Sequence, residues 1–167
     1  MEELEALRSR LAQQRPAAYA ALPDIELYKD QVLTYMQRQQ PGGESELTGA
    51  MINNYIKSGI LPRPQGKRYT KQHLAYLTAI AQLKQVLSVA QLDSLLKSQQ
   101  DLEDSEAFYA RYCEALDVAL NTTVKELPQK QTEIAEQALR LCLQSYADRL
   151  AALELLELLA KEETAEK

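Results

Sequence analysis

The chain has 167 residues, sets 19 Lys and Arg against 24 Asp and Glu for a formal net charge of −5, and is 46% apolar. That composition belongs to a globular protein rather than a disordered or collagen-like one, and its length suits one domain, or one with a helical extension. No apolar run approaches the ~18 residues a membrane span needs, since Glu154 and Glu157 punctuate the most apolar stretch. Met1-Glu2-Glu3 is acidic where a signal peptide is basic, and Cys113 and Cys142 are too few for a disulfide framework, so a cytoplasmic protein without a membrane partner is expected.

In chain order, Leu4, Leu7 and Leu11 recur three and four apart and predict a short amphipathic helix over 3–14, stopped by Pro16. Pro23-Asp24 is a helix-start signal, and Ile25, Tyr28, Val32, Tyr35 and Met36 form one stripe of a helix over 25–39, which Pro41-Gly42-Gly43 breaks. Thr48 caps a short helix that ends at Gly59. Ile60 to Tyr69 reads as short extended pieces around a Pro64-Gln65-Gly66 turn, a small hairpin. Thr70 opens a helix through Leu74, Leu77, Ile80 and Ala81. Ser88 with Gln91 is a capping box ahead of Leu92, Leu95 and Leu96. Phe108, Tyr112 and Leu116 stripe a further helix. Pro128 separates it from a long last one over 129–161, where Leu139, Leu143, Tyr146, Leu150 and Leu153 fit a heptad that Glu157 breaks.

The charge is unevenly spread. Segment 47–97 holds seven basic residues against Asp93 alone, a formal +6, while the other 116 residues sum to −11. Asymmetry of this size is a statement about partners, and it reverses the first impression that an acidic chain avoids nucleic acid.

At ~100° per residue the helix over 48–58 divides cleanly. Met51, Ile52, Tyr55 and Ile56 fall in one arc, and Ala50, Asn53, Asn54 and Lys57 in the other. The second arc suits a major groove: Asn pairs with adenine, Ala leaves room for a thymine methyl, and Lys meets guanine or phosphate. Arg63, Lys67, Arg68 and Lys71 follow within a few residues. A lysine in a helix's first turn opposes the macrodipole, so Lys71 is expected to serve an anion, and His73 in the same turn to be a neutral surface histidine.

The stretch Met51-Ile52-Asn53-Asn54-Tyr55-Ile56-Lys57-Ser58-Gly59-Ile60-Leu61-Pro62, then Lys67-Arg68-Tyr69-Thr70, then Leu74 to Leu96, resembles the winged-helix DNA-binding domain of MerR-type regulators. With Leu27-Tyr28-Lys29-Asp30-Gln31 added, it is similar to an uncharacterised bacterial family known only as a domain of unknown function, over roughly 22–98. The resemblance implies that Asn53, Asn54, Tyr55 and Lys57 belong to the recognition helix and Arg63, Lys67, Arg68 and Tyr69 to the wing. Three departures stand out: Asn53-Asn54 replaces the usual Arg-Tyr pair, a loop carrying Glu44 and Glu46 replaces a tight turn, and the carboxyl-terminal part has neither a clear long dimer coil nor a metal-binding cysteine cluster.

Catalytic and metal chemistry find no support in the chain. With one histidine and two separated cysteines a zinc site has no ligand spacing, no Ser-His or Cys-His pair has a suitable context, and Gly42-Gly43 lacks the rest of a phosphate loop. The expectation is an all-α protein with no cofactor and no enzymatic activity. It comprises an amino-terminal helix and linker at 1–21, a winged helix-turn-helix domain with a small β-hairpin wing at 22–98, and a helical extension at 99–167. Its expected function is that of a transcriptional regulator binding double-stranded DNA, as a homodimer through the carboxyl-terminal helices. The alternative is a helical protein–protein interaction adaptor on the same scaffold.

Overall fold

A computed structural model describes residues 2–39, 46–99 and 104–165. Among the described residues there are seven α-helices: α1 (Glu2–Ala12), α2 (Lys29–Gln39), α3 (Gly49–Ser58), α4 (Lys71–Leu83), α5 (Val89–Lys97), α6 (Ser105–Glu126) and α7 (Ile134–Ala165), with two 3₁₀ turns and no named strand. The all-α expectation holds at this level. The predicted break at Pro41-Gly42-Gly43 and the acidic Glu44 lie outside the described residues. The chain divides into two compact units, Pro16–Cys113 and a second formed by Met1–Arg15 with Glu114–Lys167.

The Pro16–Cys113 unit is built on α4. Every residue from His73 to Ala81 is buried, because Leu74, Leu77 and Ile80 alternate with alanines and leave the helix apolar on all sides. Val32 and Met36 of α2, Ile52 and Tyr55 of α3, Leu92 and Leu96 of α5, and Phe108 and Tyr109 of α6 complete its core. Tyr76 stacks on Phe108 with ring centroids 5.4 Å apart, and the Tyr109 hydroxyl donates to the Ala17 carbonyl at 2.7 Å, tying down the start of the unit. The predicted caps form. Thr48 Oγ1 accepts the Met51 N–H at 3.2 Å, and Gly59 ends α3 at φ 84°. Ser88 and Gln91 satisfy each other's backbone N–H at the start of α5.

Two expectations are corrected. α2 starts at Lys29 rather than near residue 25, because Leu27 is held extended: its N–H and carbonyl exchange hydrogen bonds with Tyr69, 2.8 Å each way. Gln31 Oε1 then caps the Tyr28 N–H, and Ile25 and Tyr28, placed by sequence on the buried stripe, are exposed. The β-hairpin wing also shrinks to a turn. Gly66 and Lys67 take φ of 57° and 64°, the signature of a type I′ turn closed by the Arg68 N–H to the Gln65 carbonyl at 3.0 Å. Only isolated bridges, Gln65 with Arg68 and Leu27 with Tyr69, flank it among the described residues. Pro62 and Pro64 are the physical reason, since neither can donate to a ladder.

In the other unit Arg8 of α1 donates from Nη2 to the carbonyls of Leu127 and Pro128, at 2.9 and 3.0 Å, and so satisfies the end of α6. Arg15 pairs with Asp117 at 2.9 Å and Arg140 with Glu126 at 3.2 Å. A 3₁₀ turn at Gln131–Glu133 delays the start of α7 to Ile134. Among the described residues of this unit the buried side chains are Leu4, Leu127 and Leu156; of the predicted heptad residues, Leu139, Leu143, Tyr146 and Leu150 are 45–65% exposed and Leu153 is half-buried.

Candidate nucleic-acid interface

The candidate site is the face of the Pro16–Cys113 unit where the start of α2, helix α3 and the Gly66-Lys67 turn converge. The amphipathic division of α3 is realised: Ile52 and Tyr55 are buried, while Ala50, Asn53, Asn54 and Lys57 are exposed. Lys29, the first residue of α2, donates from Nζ to Asn53 Oδ1, and its stem passes over Gly49, where an added Cβ would lie 3.5 Å from Lys29 Cδ. Asn53 is therefore oriented by a neighbouring helix rather than left to solvent.

Between α3 and the turn lies an open cleft of about 600 Å³. Three cations line it, Lys29, Arg63 and Lys67, together with Asn53, the apolar Ile56 and Pro64, and Tyr28 and Tyr69; among the described residues no carboxylate does. The cations just outside are treated differently. Arg68 pairs with Glu26 at 3.5 Å, donates to the Tyr28 hydroxyl at 3.3 Å and lies over the Tyr28 ring, 5.3 Å from its centroid. Lys71 is largely covered, pairs with Asp24 and sits 5.3 Å above the centre of the Tyr19 ring. The anion expected for Lys71 is thus the protein's own Asp24. Among the described residues Lys57, Arg63 and Lys67 pair with no carboxylate, and all three are exposed.

Two aromatic residues assigned to the DNA face by resemblance lie in the core instead. Tyr55 is 4% exposed and Tyr69 2%, and burial raises the pKa of both phenols. Tyr69 is taken inward by its backbone pairing with Leu27 and by its edge-on contact with His73, centroids 5.3 Å apart. His73 is itself buried rather than on the surface. Its Nδ1 accepts the Thr70 N–H at 3.0 Å, completing the capping box of α4. Burial lowers its pKa below 6.5, and the Pro62 and Arg63 backbone partly offsets that.

Sequence reading missed Tyr28 and Lys29 as members of this face. The available signal was Gln31, a side chain suited to cap a helix three residues upstream, which would have started α2 at Lys29 and released Tyr28 from the buried stripe. Among the described residues no group of three His, Cys, Asp or Glu side chains is placed to hold a metal ion, and Cys113 and Cys142 form no disulfide.

A family model described as a domain of unknown function, DUF1836, matches residues 17–114, which takes in every element of this face. No curated protein and no solved structure matches the chain.

Proposed function

The chain belongs to the DUF1836 family, and we propose, from the geometry of the α3 face, that its Pro16–Cys113 unit is a double-stranded DNA-binding module of helix-turn-helix type, in the manner of MerR-like regulators. The observation that carries this reading is the selective pairing of charge. Arg68 and Lys71 are paired with Glu26 and Asp24, while Lys57, Arg63 and Lys67 are left beside the exposed amides of Asn53 and Asn54. In this reading α3 enters the major groove. Asn53, Asn54 and Ala50 meet base edges, Lys57 meets a base or phosphate, and Arg63 and Lys67 hold the backbone from the turn. The protein acts as a cytoplasmic transcriptional regulator rather than an enzyme.

A homodimer through α7 accompanies this proposal. Its exposed Leu139, Leu143, Tyr146 and Leu150 keep a four-three-four spacing, and a two-fold protein reads two half-sites. Titration against mixed-sequence duplex DNA at several salt concentrations tests the function. With three or four phosphate contacts per subunit, the log–log slope of affinity against salt is expected to be roughly −5 to −7. A flat response, unchanged by Lys67→Glu, would refute DNA binding.

One observation favours a second reading, a protein–protein interaction adaptor. The Pro16–Cys113 unit as a whole carries ten acidic and ten basic residues, so its cations are local rather than a broad electrostatic field. The same titration separates the two.

A further inference from the structure

We propose that the cleft between α3 and the Gly66-Lys67 turn is a binding site for a small organic anion with a flat apolar body, and that its occupant excludes DNA. The site itself stands on its geometry; only the exclusion rests on the DNA-binding reading above.

Three features of the cleft point the same way. First, its volume of about 600 Å³ falls within the usual range of small-molecule sites and exceeds what an isolated phosphate group fills. Second, its charge among the described residues is one-signed. Lys29, Arg63 and Lys67 line it with no carboxylate among those residues, and the partner given to Lys29 is the neutral Asn53 amide, which orients the ammonium without cancelling it. Arg68 and Lys71, outside the cleft, each have an acid of their own. Third, the rest of the lining includes the apolar Ile56 and Pro64 and the aromatic Tyr28 and Tyr69. An anionic head would take the Arg63 fork and the two lysines, and a flat body would lie against Ile56 and Pro64.

Exclusion follows from shared groups. Asn53, Arg63 and Lys67 belong both to the cleft and to the proposed DNA face, so an anion in the cleft uses the cations that would meet the phosphates and crowds the amide that would meet a base.

The test uses the full chain with phenyl phosphate and benzoate as probes, and inorganic phosphate and benzyl alcohol as the anion-only and apolar-only controls, by calorimetry at low salt. At least one probe is expected to bind ten-fold or more tightly than either control, with phenyl phosphate against benzoate distinguishing a phosphate from a carboxylate head. Arg63→Ser is expected to weaken it at least five-fold. Because Arg63 is exposed, this change does not put folding at stake. Lys67→Asn, which suits the positive φ there, serves as a second variant with the same expected direction. Binding of both probes no tighter than of the controls, or unaffected by both variants, would overturn the site. Saturating probe is expected to weaken duplex binding several-fold, and undiminished duplex binding would overturn the exclusion alone. Probe binding by a chain that binds no DNA would overturn the exclusion and the DNA-binding reading, and would support the site.

Discussion

Lys67 occupies a backbone conformation that its side chain disfavours, and that conflict supports a quantitative prediction. In the type I′ turn it follows Gly66 with φ 64°, the left-handed region. A residue with a Cβ pays about 1–2 kcal/mol there. Glycine removes that strain but loses more backbone entropy on folding, about 0.5–1 kcal/mol. Lys67→Gly is therefore expected to stabilise the protein by about 0.5–1 kcal/mol. The side chain is exposed and pairs with no carboxylate among the described residues, so no packing or ion-pair loss offsets the gain. For a unit of this size the melting temperature rises by about 2–8 °C. Binding moves the other way. If Lys67 meets one phosphate per subunit, the salt slope of a dimer becomes shallower by about 1.8. Thermal unfolding by circular dichroism and duplex binding by fluorescence anisotropy read the two effects on one variant. Lys67→Asn, which tolerates the left-handed region, is expected to give a smaller gain in stability and the same loss in slope. An unchanged or lower melting temperature would refute the strain, and an unchanged slope would refute the phosphate contact.

Other outcomes follow from the same geometry. His73 is buried with its pKa lowered chiefly by burial, so the unfolded chain takes up a proton at a higher pH than the folded one. Stability is fully present above about pH 6.5 and is lost as the pH falls toward the depressed folded value, by at most about 1.4 kcal/mol per pH unit. Denaturant unfolding between pH 7.5 and 5 measures this, and His73→Gln is expected to flatten that part of the curve; an unaltered profile would exclude His73 as its source. Lys71→Met is expected to leave the salt slope of DNA binding intact, because Asp24 already pairs with Lys71; a slope reduced as much as by Lys67→Gly would show that the pair opens to phosphate. Leu143→Glu on the exposed face of α7 is expected to yield monomer in sedimentation without loss of helix content, since the residue is 59% exposed in the single chain. Sedimentation identical to that of the parent would remove this face from the dimer.

The elements legible in the sequence are those whose causes are local. Thr48 and Gly59 bound α3, Ser88 and Gln91 open α5, and Gly66 marks the turn, because each involves hydrogen bonds or dihedral preferences within a few residues. The two-faced character of α3 is likewise a matter of spacing alone, and it places Ala50, Asn53, Asn54 and Lys57 on the exposed side. What tertiary structure decided is which cations stay available and which aromatics go inside. Leu27 pairs with Tyr69 across some forty residues, and that pairing shortens α2, draws Tyr69 into the core and leaves Tyr28 at the surface. Asp24 and Glu26 lie far in sequence from Lys71 and Arg68 yet pair with them, a match that charge counting over 47–97 cannot contain because both acids fall outside that window. Periodicity showed the stripe on α7, but only the packed chain revealed that its own unit leaves it uncovered. Backbone preferences act over one turn, whereas burial and ion pairing depend on which distant segments the core brings together.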